Sequence, residues 1–422
     1  MEDAMTKTDK KRKASNEKRS TRSKIRIGTA VILIFAALLV LCVSGGYSKA
    51  DDRVPLKALS GLPVINYSDI LTSAKALKVS AESAVLIDAD SGNVIYEYNA
   101  EKKLPMASTT KIMTALVAIE NCPIDKTVTV TKQAVGIEGS SIYLYEGEKL
   151  RMEDLLYALL LESANDAATA IAIEVGGSVE GFAEMMNKKA KALGLCNTSF
   201  QNPHGLDNEE HYTTAHDLAI IAREALADPT LERIFSTEKK TIPLNSEDGV
   251  RLLINHNKLL RMYDGTIGVK TGYTKRSGRC LVSAAERDGV RLIAVTLNAP
   301  NDWKDHTEML DYGFETYEYV TLCKKGEFSE PLYLVGGAEQ YVTVSNPTEV
   351  GATLPRSHGE ITYKVELPSQ GYAPVESGER LGRLIFYCDG RAVADTEIIA
   401  VYGVDRVKYR SGLWDRLKSI FD

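Results

Sequence analysis

The apolar positions of this 422-residue chain follow helical spacing in its first half and strand spacing elsewhere. Between residues 107 and 120, Ile112, Leu116 and Ile119 recur at intervals of three and four, which predicts a buried helix. Cys122-Pro123 marks the end of this helix. Further helices are predicted by the same spacing over residues 151–161, 166–175, 179–193 and 214–227.

Short β-branched runs predict strands on both sides of these helices. Residues 84–87 and 94–98 flank a turn-forming hexapeptide and predict a β-hairpin. Residues 280–285 and 291–296 predict a second hairpin across Asp288-Gly289. Residues 268–274 are typical of a strand edge. After residue 320 only short β runs occur, which predicts a small all-β domain with strands near 332–335, 340–344, 361–367, 380–387 and 391–401.

The first 50 residues carry a targeting pattern. Residues 1–26 hold ten basic and four acidic residues, a net charge of +6, and the apolar run Ile27–Val43 follows at once. A basic flank before an apolar run predicts export, with the basic end left in the cytoplasm. The run is long for a signal peptide and marginal for a membrane span. We therefore expect residues 27–50 to be a signal peptide, cleaved after Ala50, or a membrane anchor, and residues 51–78 to be a linker.

Composition excludes several classes of function. The whole chain has a net charge of −6, so residues 27–422 carry −12, and such a surface does not favour nucleic acid. The six cysteines are widely separated, without a Cys-x-x-Cys pair, and predict neither a disulfide framework nor a metal site. Because the six histidines lack metal-ligand spacing, no metal or cofactor is expected. His204 and His211 are expected in a loop, near the surface.

Ser108 and Lys111 lie at the start of the first predicted helix, on one face of its first turn. Ser108 could be an N-cap that satisfies free backbone N–H groups. Alternatively it is a nucleophile whose proton passes to Lys111, with the helix N-terminus available to an oxyanion. The pattern Ser-x-x-Lys also begins at Ser15 and Ser236, so by itself it does not decide between the two interpretations.

Two further polar motifs stand in apolar surroundings. Ser163 and Asn165 fall in a tight link between two apolar helices, where they are either caps or functional groups that need hydrogen-bond partners. Lys270 and Thr271 are followed by Gly272 in the strand-edge segment. They are either a solvated strand end or a site for an anionic substrate group, with the glycine allowing a ligand backbone to approach closely.

Together, Ser108-x-x-Lys111, Ser163-Ala164-Asn165 and Lys270-Thr271-Gly272 resemble the signature of penicillin-binding proteins and class A β-lactamases. Over about residues 79–405 the chain resembles a low-molecular-mass penicillin-binding protein of the serine D-alanyl-D-alanine carboxypeptidase type. Supporting segments are residues 104–108, 202–206 and 264–274.

The resemblance implies an α/β (α+β) domain of the penicillin-binding and β-lactamase kind. Its five-stranded antiparallel sheet would carry helices on both faces, with the two predicted hairpins as neighbours in the sheet. We expect this catalytic domain at residues 79–318 and the all-β domain at 319–405. The tail, residues 406–422, is apolar on one face and fits the family's membrane anchor, although it could instead pack on the β domain.

The resemblance also implies the chemistry. Ser108 would attack the carbonyl between the two terminal D-alanines of a peptidoglycan stem peptide and would be acylated by β-lactam antibiotics. Lys111 would act as general base in its neutral form, since burial, the helix N-terminus and the second ammonium at Lys270 disfavour its charge. Such a hydrolase would work at the outer face of the bacterial cell membrane.

Other residues take supporting roles under the same resemblance. Ser163 would relay a proton to the leaving amine, and Asn165 would orient the substrate and the general base. Lys270 and Thr271 would bind the terminal carboxylate. The backbone N–H groups of the nucleophile and of Tyr273 would form the oxyanion hole. Some family members carry histidine at the Tyr273 position, so substrate detail is expected to differ here.

Two alternatives remain open at this level. A class A β-lactamase carries a deacylating Glu-x-x-x-Asn about 36 residues after its Ser-x-Asn motif, but here that position is Ser199, with no glutamate nearby. A non-catalytic wall-binding scaffold of the same fold is the other alternative, and the three intact motifs argue against it.

Overall fold

The structure, a computed structural model, describes residues 77–244 and 249–407. The predictions for the basic N-terminus, the apolar run and most of the linker and tail therefore lie outside the described residues. Within the described ranges, no helix is both long enough and apolar enough to span a bilayer.

Helices occupy the first three quarters of the described chain. Two short 3₁₀ helices lie at Ala107–Thr110 and Lys132–Ala134. The α-helices, α1 to α8 in chain order, are Lys111–Asn121, Met152–Leu161, Asn165–Gly176, Val179–Ala192, Ala215–Leu226, Pro229–Phe235, Leu259–Met262 and Asp302–Thr316.

Strands flank the helical region, form two short two-stranded sheets within it and fill the C-terminal part. In chain order, β1 to β17 are Ser83–Asp88, Val94–Tyr98, Thr127–Thr129, Lys149–Arg151, Lys239–Pro243, Val250–Ile254, Thr266–Thr274, Gly278–Arg287, Val290–Leu297, Tyr317–Cys323, Ser329–Val335, Tyr341–Ser345, Val350–Pro355, Ile361–Glu366, Gly371–Tyr372, Arg380–Cys388 and Arg391–Ala400.

A five-stranded sheet with the order β2-β1-β9-β8-β7 forms the centre of the first domain, and every neighbouring pair is antiparallel. β1 pairs with β9 from Ser83↔Leu297 to Asp88↔Leu292, so the two predicted hairpins lie side by side. Both the hairpins and their adjacency are confirmed. β7 is an edge strand of this sheet. Its Lys270-Thr271-Gly272 sequence therefore has a further strand on one side only.

Both faces of this sheet are covered. Val85, Ile87 and Val295 face the large helical core, whereas Leu86 and Leu292 face the opposite way, toward α8. This alternation is the two-residue period of a strand, and it confirms the predicted arrangement of helices on both faces.

Helix α8 is the longest described helix that the sequence pattern did not predict. Its N-terminal half buries Asp302, Asp305 and His306, polar residues that interrupt an apolar period. His306 lies within hydrogen-bond distance of the hydroxyls of Ser283 and Thr296 beneath the sheet. These polar residues, together with the other charged residues of the segment, leave it polar as a whole, so a search for apolar runs misses this helix.

The C-terminal part is all-β, as predicted. Strand β10 pairs with β13, and a six-stranded sheet has the order β14-β16-β17-β12-β11-β15. Its interior is apolar, with Val342, Val344, Leu384 and Ile398 each at most 1% exposed.

Candidate active site

The turn that carries Ser108 is wound more tightly than predicted. Residues 107–110 form a 3₁₀ turn, and α1 begins only at Lys111. The hydroxyls of Thr109 and Thr110 donate to the carbonyls of Met106 (2.6 Å) and Ala107 (2.8 Å). Neither helix has a side-chain N-cap, so the capping interpretation of Ser108 is wrong and its hydroxyl is left to other contacts.

Lys111 is completely buried and contacts three groups, two of which are distant in sequence. Its Nζ lies 3.0 Å from the Oγ of Ser108, 2.7 Å from the Oδ1 of Asn165 and 2.7 Å from the carbonyl oxygen of His204. Burial, and after it the charge of Lys270, holds the pKa of Lys111 well below its usual range, with Asp166 opposing that shift.

These contacts determine which way the proton moves. A neutral lysine has two N–H donors and one lone pair. Because the Asn165 amide oxygen and the His204 carbonyl only accept, they take both N–H groups. The lone pair is then left for the hydroxyl of Ser108, which can donate its proton along the 3.0 Å contact. The arrangement is that of a serine nucleophile with a lysine base.

The amide of Asn165 is fixed in the orientation that Lys111 requires. Its Nδ2 donates to the carbonyl of Glu138 at 2.5 Å, and its backbone N–H donates to that of Ser140 at 2.7 Å. Ser163 lies in the predicted link, buried, with a positive φ of 59°. Ser163 is not a member of this hydrogen-bond network. Among the described residues, no hydrogen bond joins its hydroxyl to Ser108 or Lys111.

Strand β7 forms the other wall of the site. A Cβ added to Gly272 would lie 3.0 Å from the backbone nitrogen of Ser108 and 3.1 Å from that of Thr109. Because Gly272 has no side chain, β7 can pack directly against the turn at residues 107–110, here termed the nucleophile turn. The sequence analysis did not identify this requirement for a glycine. Tyr273, the next residue, is exposed. Close approach of a ligand at Gly272 stays a prediction.

Lys270 is the second buried ammonium on this wall. It is 1% exposed, its Nζ donates to the carbonyl of Thr271 at 3.0 Å, and burial lowers its pKa from 10.5 to about 7. A cation at this depth favours an anionic partner. Lys111 contacts Ser108, and Lys270 is close enough for its charge to lower the pKa of Lys111. Such a pair of buried lysines of depressed pKa is suited to a substrate that brings its own negative charge.

We expect Lys270 to reduce the stability of the folded state at neutral and acidic pH. Its folded pKa of about 7 lies below its ordinary 10.5, so the unfolded state binds more protons. The resulting loss of stability is absent above 10.5, grows as the pH falls and is complete below about 7. Lys270→Met should raise the melting temperature at pH 6 and have little effect near pH 10, as measured by thermal unfolding.

The exposed Lys364 provides the control for this prediction, since its side chain is 61% exposed in a surface ion pair. Lys364→Met should leave the melting temperature nearly unchanged at both pH values. An equal change in melting temperature for Lys270→Met at pH 6 and pH 10 would contradict this explanation. The loss of stability comes from the protonated form of the buried lysine, so it must be larger at the lower pH.

A loop at residues 202–206 supports the nucleophile turn from behind. The hydroxyl of Thr114 donates to the carbonyl of Pro203 at 2.6 Å, and the carbonyl of His204 accepts from the Nζ of Lys111. Gly205 has a φ of +89°, and an added Cβ would lie 1.9 Å from the carbonyl oxygen of Ala107. Any larger residue at Gly205 would displace the nucleophile turn.

The prediction that His204 and His211 are surface residues is wrong for His211. His211 is 3% exposed, and the backbone N–H of Gln201 donates to its Nδ1 at 3.0 Å. Its Nε2 therefore carries the proton and donates to the hydroxyl of Thr110, 2.8 Å away. Burial, followed by the charge of Lys111, lowers the pKa of His211 to about 4 and that of His204 to about 3, so both are neutral.

A second loop reaches the site through Asp166, which the sequence analysis did not identify. Its buried carboxylate accepts from the hydroxyl of Ser141 (2.6 Å) and from the backbone N–H groups of Ile142 (3.3 Å) and Leu144 (2.9 Å). The adjacency of Asp166 to Asn165 was the available signal. Because its partners lie 22 to 25 residues away, the spacing of residues in the sequence could not identify them.

One group of three side chains could in principle hold a metal ion. In the described ranges the ligand atoms of Glu101, His216 and Asp217 all lie within 4.8 Å of one another. Asp217 already accepts from the backbone N–H of Asn197 at 3.2 Å and the hydroxyl of Thr198 at 2.7 Å. These contacts explain its position without an ion.

Comparison with known proteins gives consistent matches across most of the chain. A family model described as D-alanyl-D-alanine carboxypeptidase matches residues 70–301, and one described as the C-terminal domain of penicillin-binding protein 5 matches residues 317–406. The D-alanyl-D-alanine carboxypeptidase DacF of Bacillus subtilis is 33% identical over 354 residues, 80% of this chain and 91% of the relative. DacC of Escherichia coli is 32% identical over 361 residues, 81% and 89% of the two chains. The crystal structure of penicillin-binding protein 5 from Haemophilus influenzae covers 79% of this chain and 100% of its own, with 27% identity and a TM-score of 0.64.

Proposed function

This chain belongs to the D-alanyl-D-alanine carboxypeptidase family of serine peptidases, and we infer that Ser108 is the nucleophile through which it acts. It is a serine-type D-Ala-D-Ala carboxypeptidase, a hydrolase. Nothing in its relatives favours a β-lactamase or a non-catalytic scaffold. The observation that carries the assignment of Ser108 is its contact with the buried Lys111, whose two N–H groups are occupied by Asn165 and His204.

Acylation follows from this geometry. The Oγ of Ser108 attacks the carbonyl carbon between the two terminal D-alanines of a peptidoglycan stem peptide, and its proton passes to the Nζ of Lys111. The backbone N–H groups of Ser108 and Tyr273 stabilise the oxyanion of the tetrahedral intermediate. Close packing of Gly272 on the nucleophile turn supports this pairing of N–H groups from two elements.

Departure of D-alanine needs a proton on its amine as the C–N bond breaks. Lys111 holds that proton after acylation, and the hydroxyl of Ser163 relays it to the leaving group. Burial of Ser163 in the link that also positions Asn165 supports this role. A water molecule then attacks the ester carbonyl and gives a proton to Lys111. Ser108 is released with its proton, and the shortened peptide leaves as a carboxylic acid.

Lys270 and Thr271 bind the terminal carboxylate of the substrate. The carboxylate supplies the negative charge that the buried Lys270 lacks among its described contacts, and it raises the pKa of the ammonium on binding. A β-lactam carries a carboxylate beside its strained amide and occupies the same position. It acylates Ser108 and is released slowly, because its leaving group stays attached to the acyl-enzyme.

The experiment that tests this function measures D-alanine release from an acyl-Lys-D-Ala-D-Ala peptide by the full chain, with and without prior treatment with benzylpenicillin. We expect release from the untreated protein and its loss after treatment, with mass spectrometry placing one penicilloyl group on Ser108. An adduct on a different residue would refute the assignment of the nucleophile. Absence of both release and adduct would refute the proposed chemistry.

We further propose that the enzyme works outside the cytoplasm, attached to the outer face of the cell membrane. The basic residues 1–26 before the apolar run Ile27–Val43, and the amphipathic character of residues 406–422, support this location. In cells labelled with fluorescent penicillin, the labelled chain is expected in the membrane fraction. A label confined to the soluble cytoplasmic fraction would exclude this location.

A further inference from the structure

The residue that precedes Ser108 is held in a strained backbone conformation. Ala107 has a φ of +47°, a value that residues with a Cβ rarely adopt, and it is buried. Its carbonyl accepts from the hydroxyl of Thr110 at 2.8 Å. Strain of this kind persists only where the surrounding structure fixes it, and it is common at active sites. The group that holds the Thr110 hydroxyl in place therefore also helps to hold Ser108.

That group is the ring of His211. Because a hydroxyl has a single proton, which Thr110 gives to the carbonyl of Ala107, its oxygen accepts from the Nε2 of His211, 2.8 Å away. On the other side of the ring, Nδ1 accepts from the backbone N–H of Gln201 at 3.0 Å. A chain of three hydrogen bonds therefore runs in one direction, from the backbone of Gln201 through the ring and the hydroxyl to the strained Ala107.

The segment that carries His211 is itself firmly placed. The ring packs edge-on against the buried ring of Phe200, with the ring centroids 5.8 Å apart. Backbone hydrogen bonds of 2.8 Å and 3.1 Å join the two ends of residues 199–212. The same segment contains His204, whose carbonyl accepts from Lys111. One segment therefore supports both the serine, through its turn, and the lysine, through a direct contact.

We propose that His211 is a positioning residue for acylation, which donates to Thr110 and so keeps the strained turn, and the Oγ of Ser108 with it, aligned on Lys111. The inference rests on the proposed function, because it takes Ser108 as the nucleophile and Lys111 as its base. No hydrogen bond within the described ranges joins the ring to either residue, so His211 acts through Thr110. Burial, and after it the charge of Lys111, lowers the pKa of His211 to about 4, so the ring is neutral near pH 7.

Two amide substitutions separate the two contacts of the ring. Along the side chain, the amide nitrogen of glutamine matches Nε2, and the amide oxygen of asparagine matches Nδ1. His211→Gln therefore keeps the donor to Thr110, whereas His211→Asn keeps only the acceptor for Gln201. Acylation of the full chain by benzylpenicillin is followed by stopped-flow fluorescence. In His211→Asn the rate at saturation should fall about 10- to 100-fold at an unchanged half-saturating concentration, since a misplaced nucleophile reacts slowly. His211→Gln should stay within about threefold of the wild type.

Thr110→Val removes the hydroxyl from the same chain of hydrogen bonds. It should slow acylation as much as His211→Asn, and the double variant should be no slower than either, because both substitutions interrupt one chain. A merely structural role of His211 predicts a different result, namely a smaller fraction of protein that can be labelled, with an unchanged rate in that fraction.

The matched control is His306→Asn. His306 is also buried, with hydroxyls within hydrogen-bond distance of both ring nitrogens, but it lies beneath the sheet. This variant should have a lower melting temperature and the wild-type acylation rate.

The proposal is overturned if His211→Asn acylates at the wild-type rate, if His211→Gln is as slow as His211→Asn, or if His306→Asn is equally slow. Should His211→Asn not fold, Thr110→Val decides, and a wild-type rate in that variant overturns the proposal. Failure of the proposed function would look different, because benzylpenicillin would then not label Ser108 in the wild type.

Discussion

Ser108→Ala is expected to reduce D-alanine release by at least about 10⁴-fold and to abolish covalent labelling by penicillin. No neighbouring hydroxyl can substitute, because those of Thr109 and Thr110 already donate to backbone carbonyls within the turn. The fold should persist, since Ser108 does not cap its helix. Release of D-alanine and labelling with fluorescent penicillin measure the effect, and the melting temperature checks the fold.

The chain provides a matched control in its third Ser-x-x-Lys sequence, Ser236 to Lys239. Ser236 ends α6, and its hydroxyl donates to the carbonyl of Arg233 at 3.2 Å. Ser236→Ala should retain full release and labelling. If Ser108→Ala kept measurable turnover while Ser236→Ala lost it, the nucleophile would have to be assigned elsewhere.

The contrast between these two serines shows how far the sequence could predict the site. The tetrapeptide pattern is the same in both, and only the order of Ser163-x-Asn165 and Lys270-Thr271-Gly272 along the chain distinguished Ser108. Apolar spacing predicted the elements that carry these motifs, because periodicity is a local property. The central sheet was expected from family resemblance, and the observed strand order agrees.

What escaped prediction depends on contacts between distant segments. The carbonyl of His204 meets Lys111 from 93 residues away, and His211 meets Thr110 from 101. Both histidines stand among turn-forming residues, where local composition favours a solvated loop. Only the folded chain shows that the backbone carbonyl of His204 contacts Lys111 and that the neutral ring of His211 donates to Thr110, in the turn that carries Ser108.

The site also carries a conflict between stability and function. Lys111 and Lys270 are both buried, and the charge of Lys270 disfavours the charged form of Lys111, so the site holds two groups that the fold would retain more easily as neutral side chains. Under the proposed function, a substrate carboxylate would relieve this cost at Lys270, while Lys111 would stay neutral as the base. Under that proposal, a base needs a low pKa and an anion-binding cation needs a high one, and binding of the substrate would satisfy both requirements.

Lys111→Gln is accordingly expected to slow acylation of Ser108 by about 10²–10⁴-fold, the contribution of a positioned general base. Glutamine can still donate to the carbonyl of His204, so the loss should appear in the acylation rate rather than in binding. In the wild type the base must be unprotonated, so the rate rises with pH through the depressed pKa of Lys111. In Lys111→Gln this rise should disappear.

The pH profile of penicillin acylation, followed by stopped-flow fluorescence, distinguishes this role of Lys111 from a merely structural one. Lys239→Gln, in the third Ser-x-x-Lys sequence, serves as the control and should retain both the rate and the profile, because that side chain is exposed. An unchanged rise with pH in Lys111→Gln would assign the titration to another group.

Since burial lowers the pKa of Lys270 to about 7 as well, only the comparison of Lys111→Gln with Lys270→Met identifies which ammonium must lose its proton. Lys270→Met should keep the rise, shifted to higher pH, because Lys111 no longer has a neighbouring positive charge that opposes its protonation.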